Sequence, residues 1–217
     1  MRTLLLVSAT AAEIGPLTQV LEQQYKKTEH RFEKNGLSIE LCITGVGMVS
    51  TAYAIGKLSD KNFDYVLNVG VAGSFNRFQN GTVVQIMHDC FSELGAEDDA
   101  SFLSIDQMGL GTQKVFPEFP LALPTELRLP KAGGITVNTV HGNANSIEDV
   151  VARYSPDVES MEGAAFFYAC NQAKWTCAQI RAISNQVEKR DKSKWQMREA
   201  VDALNAYALK LIEAISY

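Results

Sequence analysis

Short aliphatic runs alternate with helix-patterned segments along almost the whole chain, and this alternation limits the fold more than any other feature. Residues 4–8, 65–69, 83–91, 135–140, 158–160 and 177–184 are brief runs dominated by Leu, Ile, Val and Ala. Strands of that kind are buried on both faces, as in a mostly parallel sheet covered by helices. Between them, apolar residues recur every three to four positions, the helical period. The first such stripe is Ile14, Leu17 and Leu21 within residues 10–24, and the next is Met48, Ala52, Ile55 and Leu58 after the Gly45-Val46-Gly47 turn. Helical patterns follow at 147–154 and 162–173. A last helix is expected from Ser193, where Ser-x-x-Gln with Gln196 has the form of a capping box; Met197, Val201, Leu204, Ala208, Leu211 and Ile215 form its inward stripe. Asn35-Gly36 predicts a hairpin between strands at 30–34 and 37–44. From about 95 to 130 the pattern dissolves into Gly, Pro and acidic residues, read as long loops with short strands. The prediction is one α/β domain over residues 1–217: three layers, α/β/α, on a mixed, mostly parallel sheet.

Composition narrows the partners. The 217 residues are 46% hydrophobic and carry a net charge of −5, which argues against nucleic acid and anionic membranes, since both require a basic face. The cysteines at 42, 90, 170 and 177 form no Cys-x-x-Cys pair and no histidine stands at ligand spacing from them. Buried reduced thiols rather than disulfides or metal, and a cytoplasmic location, are expected. The N-terminus, "MRTLLLVSATAAE", imitates a signal peptide, but its apolar core at 4–7 is shorter than the roughly seven to fifteen residues such a segment needs. No run approaches membrane-spanning length.

Ligands of parallel sheets bind outside the carboxyl ends of the strands. The polar residues expected there are Thr10 and Glu13, the Gly70–Gly73 turn, Thr139–His141, Met161-Glu162 and Ser184-Asn185. Taken singly, each has a structural explanation. Thr10-Ala-Ala-Glu13 is itself a capping box, the glycines suit a tight turn, Glu162 suits a helix's first turn, and Asn185 is a turn former.

Together they resemble one family. "VESMEGAAFF" (158–167), "RAISN" (181–185) and a first strand leading to Glu13 look like the nucleoside phosphorylases and nucleosidases, over residues 1 to about 212. Within that family, "ELGAEDD", "TVNTVHGN" and "ISN" followed by Arg190-Asp191 and Trp195 look most like the futalosine hydrolase branch. That branch releases hypoxanthine from futalosine, leaving dehypoxanthine futalosine, in menaquinone biosynthesis. The resemblance implies that Glu162 accepts from the ribose hydroxyls and that Met161 packs on the sugar. It implies that Glu13 activates water and that Asn185 supports the leaving base. Val71, Ala72, Gly73, Val140, His141 and Phe116 would line the purine side.

Asn185 stands where the adenine-specific nucleosidases carry Asp; an amide donates to a 6-oxopurine without first acquiring a proton. Water is favoured over phosphate because "SATAAEIG" contains no Gly-Asp-x-x-Arg-like element, and Val71 replaces the usual phosphorylase Ser or Thr. The benzoate of futalosine calls for a cationic or amide-rich end to the pocket, with His88, Arg77, Lys114 and Arg190 as candidates. Glu188-Lys189 departs from the branch's Gly-Pro-like pair. A homodimer is implied, and no metal or organic cofactor. The alternatives are a methylthioadenosine/S-adenosylhomocysteine or aminofutalosine nucleosidase, an inosine-type phosphorylase, and a non-catalytic nucleoside-binding protein on the same fold.

Overall fold

Leu4 and Leu6 face one side of the first strand while Leu5 and Val7 face the other, and all four are fully buried. That two-sided burial places the strand at the centre of a covered sheet. The computed structural model describes residues 1–29, 31–99 and 101–216. In chain order its elements are β1 (Arg2–Ser8), α1 (Gly15–Gln24), β2 (Lys26–Lys27), β3 (Arg31–Lys34), β4 (Leu37–Ile43), α2 (Met48–Gly56), β5 (Tyr65–Ser74) and β6 (Val83–Cys90). There follow β7 (Gly95–Asp98), β8 (Ser101–Ser104), β9 (Lys114–Val115), β10 (Lys131–Thr136), α3 (Ala144–Tyr154), β11 (Val158–Ser160), α4 (Gly163–Ala173), β12 (Cys177–Gln186) and α5 (Met197–Ile215).

The main sheet runs β2-β3-β4-β1-β5-β12-β6-β10-β11. It is mixed: β4-β1-β5-β12 are parallel neighbours, as are β6-β10-β11, and β12 meets β6 antiparallel. The end of β5 also pairs with β11, through Val158↔Ser74 and Glu159↔Gly73. β5, β12, β6, β10 and β11 therefore close into a ring. α1 and α5 cover one face through Leu17, Leu21, Leu204, Leu211 and Ile212; α2 and α4 cover the other through Ile55, Phe166, Phe167 and Cys170. The three-layer expectation holds.

Several boundaries differ from expectation, each for a local reason. α1 begins at Gly15 rather than Thr10, with Pro16 in its first turn, where the missing N–H is tolerated. β5 continues through Ser74, so Gly70–Gly73 is strand and not turn. β10 begins at Lys131, four residues early, because Gly133 and Gly134 let it run close against His88 and Asp89. α5 begins at Met197: Ser193 donates to Asp191, which caps a short 3₁₀ turn over Lys192–Lys194, and no box with Gln196 forms. Within the 95–130 region lies the β7-β8 hairpin. The expected strand position at residue 30 falls outside the described residues. The four cysteines are free. No helix among the described residues is long and apolar enough to cross a membrane.

Candidate active site

The chain leaves β1 in a turn that folds Glu13 back toward the strand ends. Its Oε2 accepts from the Thr10 N–H (2.9 Å), Thr10 Oγ1 (3.0 Å) and Ser8 Oγ (3.3 Å), and its Oε1 accepts from the Val71 N–H (3.1 Å). The capping-box pairing with Thr10 is present, but it closes a turn and opens no helix. Asn205 of α5 donates to the Glu13 carbonyl (2.8 Å) and accepts from the Leu17 N–H (2.9 Å), which pins that turn to the helical layer.

Glu162 occupies the N-cap position of α4 but makes no capping bond. Its side chain reaches across the site instead. Oε1 accepts from the Gly47 N–H (3.1 Å), and Oε2 lies 3.7 Å from Arg181 Nη1. Glycine at position 47, with φ of 98°, permits this exposed N–H, because an L side chain rarely adopts that conformation. Arg181 is one of the largest fully buried side chains of the protein. It donates Nε to Gln179 Oε1 (3.0 Å) and Nη2 to Asn68 Oδ1 (2.8 Å). A Cβ on Gly70 would collide with Arg181 Nη1 and would lie 3.0 Å from Glu13 Oε1, so that cation and that carboxylate both pack against Gly70.

At the other end, β12 bulges between Ile183 and Asn185 and presents the Asn185 amide. Its Oδ1 accepts from Ser184 Oγ (2.9 Å) and its Nδ2 donates to the Gln186 carbonyl (2.9 Å), leaving the second N–H free for a ligand. Glu159, buried on β11, accepts from the His141 N–H (3.1 Å) and pairs with His141 Nδ1 (2.7 Å). That hydrogen bond, against opposing desolvation, raises the His141 pKa above its ordinary value.

With Arg181 buried outside the lining, Glu13, Glu162, Glu159, His141 and Asn185 surround a cavity of about 630 Å³, within the usual range for small-molecule sites. Of the residues singled out from sequence, Glu13, Val71, Ala72, Gly73, Val140, His141, Met161, Glu162 and Asn185 line it. Phe116 does not. It is 55% exposed just past β9, with its ring 5.3 Å from that of His88, outside the cavity. β9 pairs with β6 and carries Phe116 to another face. Among the four candidate cations, Arg190 lines the cavity, with its guanidinium over the Trp195 ring. Arg77 is paired with Asp157 (2.6 Å), and His88 and Lys114 sit outside the cavity with Phe116. Sequence reasoning missed Arg181, although it opens the quoted "RAISN" segment; an arginine inside an otherwise aliphatic strand was the available signal. No group of three or more His, Cys, Asp and Glu among the described residues is arranged to hold a metal.

Residues 135–213, which include β11, α4, β12 and most of α5, match the Phosphorylase superfamily. Over 177 residues the chain is 30% identical to the futalosine hydrolase of Thermus thermophilus, covering 78% of this chain and 79% of that protein. This chain belongs to the futalosine hydrolase family. Solved structures bear out the fold of this family member. A futalosine hydrolase mutant of Helicobacter pylori superposes with a TM-score of 0.80 at 13% identity, covering 99% of this chain and all of that one. A methylthioadenosine/S-adenosylhomocysteine nucleosidase of Colwellia psychrerythraea, in complex with adenine, gives 0.75 at 21% identity, covering 99% and 94%. In this member of the futalosine hydrolase family, two fixed carboxylates and a free amide N–H line one cavity, and a buried guanidinium lies beside the carboxylates.

Proposed function

We propose that this protein hydrolyses the N-glycosidic bond of futalosine, releasing hypoxanthine and dehypoxanthine futalosine. One observation carries the reading: Glu13, held by Ser8 and Thr10 at the end of β1 and by Val71 of β5, lines the cavity with Glu162, and Arg181 lies buried beside both. A carboxylate there activates water, whereas a phosphorylase needs an excess of cations and donors for a phosphate dianion.

In this reading Glu162 accepts from the ribose hydroxyls, with Met161 against the sugar. As the C1′–N9 bond loosens, the electron pair moves into the purine, and Asn185 stabilises the electron-rich base. Water held by Glu13 adds to C1′ and passes its proton to Glu13, and the departing purine anion takes a proton from solvent to leave as hypoxanthine. His141, Val71, Ala72 and Gly73 border the purine. The benzoate end lies toward Arg190 on Trp195. Membership of a futalosine hydrolase family supports a place in menaquinone biosynthesis and a cytoplasmic setting. An apolar outer surface on α2 and α4, with Val49 79%, Tyr53 68% and Tyr168 52% exposed, supports a homodimer; light scattering at twice 23.9 kDa is the expected result.

The test is free-base release from futalosine, aminofutalosine, inosine and methylthioadenosine, each with and without phosphate, followed by chromatography. Hypoxanthine from futalosine, indifferent to phosphate, is expected. Adenine from methylthioadenosine would favour the nucleosidase alternative, phosphate dependence a phosphorylase, and no release a binding protein.

A further inference from the structure

A third buried carboxylate stands behind the site, separated from the cavity by Arg181. Asp89, near the end of β6, is 1% exposed. Its Oδ1 accepts from Thr136 Oγ1 (2.8 Å) and the Cys90 N–H (2.9 Å), and its Oδ2 accepts from Gln179 Nε2 (3.3 Å). Two arms lead from it toward the cavity. Through the first, Gln179 Oε1 accepts from Arg181 Nε (3.0 Å), whose Nη1 faces Glu162. Through the second, Thr136 Oγ1 also accepts from the Ala164 N–H (2.7 Å), two residues past Glu162 at the start of α4. Both arms close on the Glu162–Arg181 pair. The backbone makes room for them: a Cβ on Gly163 would collide with both the Asp89 carboxylate and Gln179, and one on Gly134 would lie 2.7 Å from Asp89 Oδ2.

The chemistry of the three side chains dictates their orientation. An ionised carboxylate only accepts and a guanidinium only donates, so an amide between them has one satisfactory way to face. We propose that Asp89 is a positioning residue: by accepting from Gln179 it turns the amide oxygen toward Arg181, which in turn aims Nη1 at the gap between Glu13 and Glu162. A residue able to donate at position 89 lets the amide reverse, and Arg181 loses its Nε acceptor. The proposal rests on the hydrolase reading.

Burial pushes the Asp89 pKa up to about 6, opposed by its bonds to Thr136, Cys90 and Gln179 and by the charge of Arg181. Arg181 is the charged group that faces it from β12, with Glu162 beyond. On its own strand Cys90, pushed up to about 12, stays neutral, and β10 and α4 present Thr136, Gly134 and Gly163. Below about pH 6 the acid form gains a donor, so turnover should fall there.

The experiment is kcat and KM for base release from pH 5 to 8 in wild type, Asp89→Asn and Gln179→Glu, with thermal unfolding to show that each variant folds. Asp89→Asn, which donates at every pH, is expected to lower kcat by about 10- to 100-fold, change KM by less than about threefold and lose the limb near pH 6. Gln179→Glu places a second carboxyl beside Asp89 and should move that limb to higher pH. Wild-type kcat and an unchanged limb in Asp89→Asn would overturn the proposal. If that variant does not fold, Gln179→Glu decides, and an unmoved limb overturns it. No base release from wild type would overturn the hydrolase reading, and this proposal with it.

Discussion

Arg181 Nη1 lies 3.7 Å from Glu162 Oε2 and has no hydrogen-bond partner among the described residues, although the side chain is buried. Buried polar groups are nearly always satisfied, and an unmet N–H there is expensive. Its two sister nitrogens donate to Gln179 and Asn68, so the unmet one is held in place beside Glu162. A donor kept unpaired beside two carboxylates is suited to a water or hydroxyl that arrives with the substrate.

Gly70→Ala tests that placement. The new methyl would collide with Arg181 Nη1, which packing on every side prevents from retreating. We expect a loss of about 1–3 kcal/mol in stability from overpacking and roughly 100-fold in kcat from the displaced guanidinium. Thermal unfolding and steady-state rates check both. Unchanged kinetics would mean that Arg181 has no part in turnover.

Glu13→Gln keeps the shape of the side chain and removes the proposed base. The Thr10 and Val71 N–H groups both donate to this carboxylate, so an amide nitrogen must face one of them. Turnover should drop by about 10²- to 10⁴-fold, with product affinity, measured by calorimetry, largely retained. Full activity would remove Glu13 from the mechanism.

Asn185→Asp should shift preference from 6-oxopurine toward 6-aminopurine nucleosides. Ser184 Oγ would still donate to one oxygen, leaving the other to take a proton and donate in its turn. The ratio of kcat/KM for the amino over the oxo substrate is expected to rise by about tenfold or more. A ratio that does not move would detach Asn185 from base selection.

His141 should titrate above its ordinary value because of its hydrogen bond to Glu159. The sign of the stability effect follows from linkage: the contribution is complete below the unfolded pKa and is lost as pH rises through the folded one. NMR titration of the imidazole should show the raised value in wild type and a return downward in Glu159→Gln. Equal values in the two proteins would break the assignment.

Much of the fold was legible because it is written in local periodicity. The two-sided burial of Leu4–Val7, the stripe on α5 and the Asn35-Gly36 hairpin each follow from side-chain spacing within one segment. Boundaries set by distant contacts were not. Gly70 and Gly73 look like turn residues, yet they lie in β5, because Arg181 and Glu13 need the space above one and Val187 and Asn185 above the other. Gly133 and Gly134 hid the start of β10 for the same reason. Phe116 lies outside the cavity because its position depends on β9 pairing with β6, which no local pattern signals.

The site divides the same way. Amino-acid type and motif determined which groups could do chemistry: Glu13 and Glu162 as carboxylates, Asn185 as an amide that donates without a proton. Tertiary structure alone decided what each one faces. The Glu162 side chain turned away from its own helix toward Arg181 and the Gly47 N–H, Glu159 took His141, and Asp89 came to stand behind Arg181. The reason is physical. Periodicity encodes which side of an element is apolar, whereas hydrogen-bond partners brought together from strands far apart in the chain are selected only when the sheet closes around them.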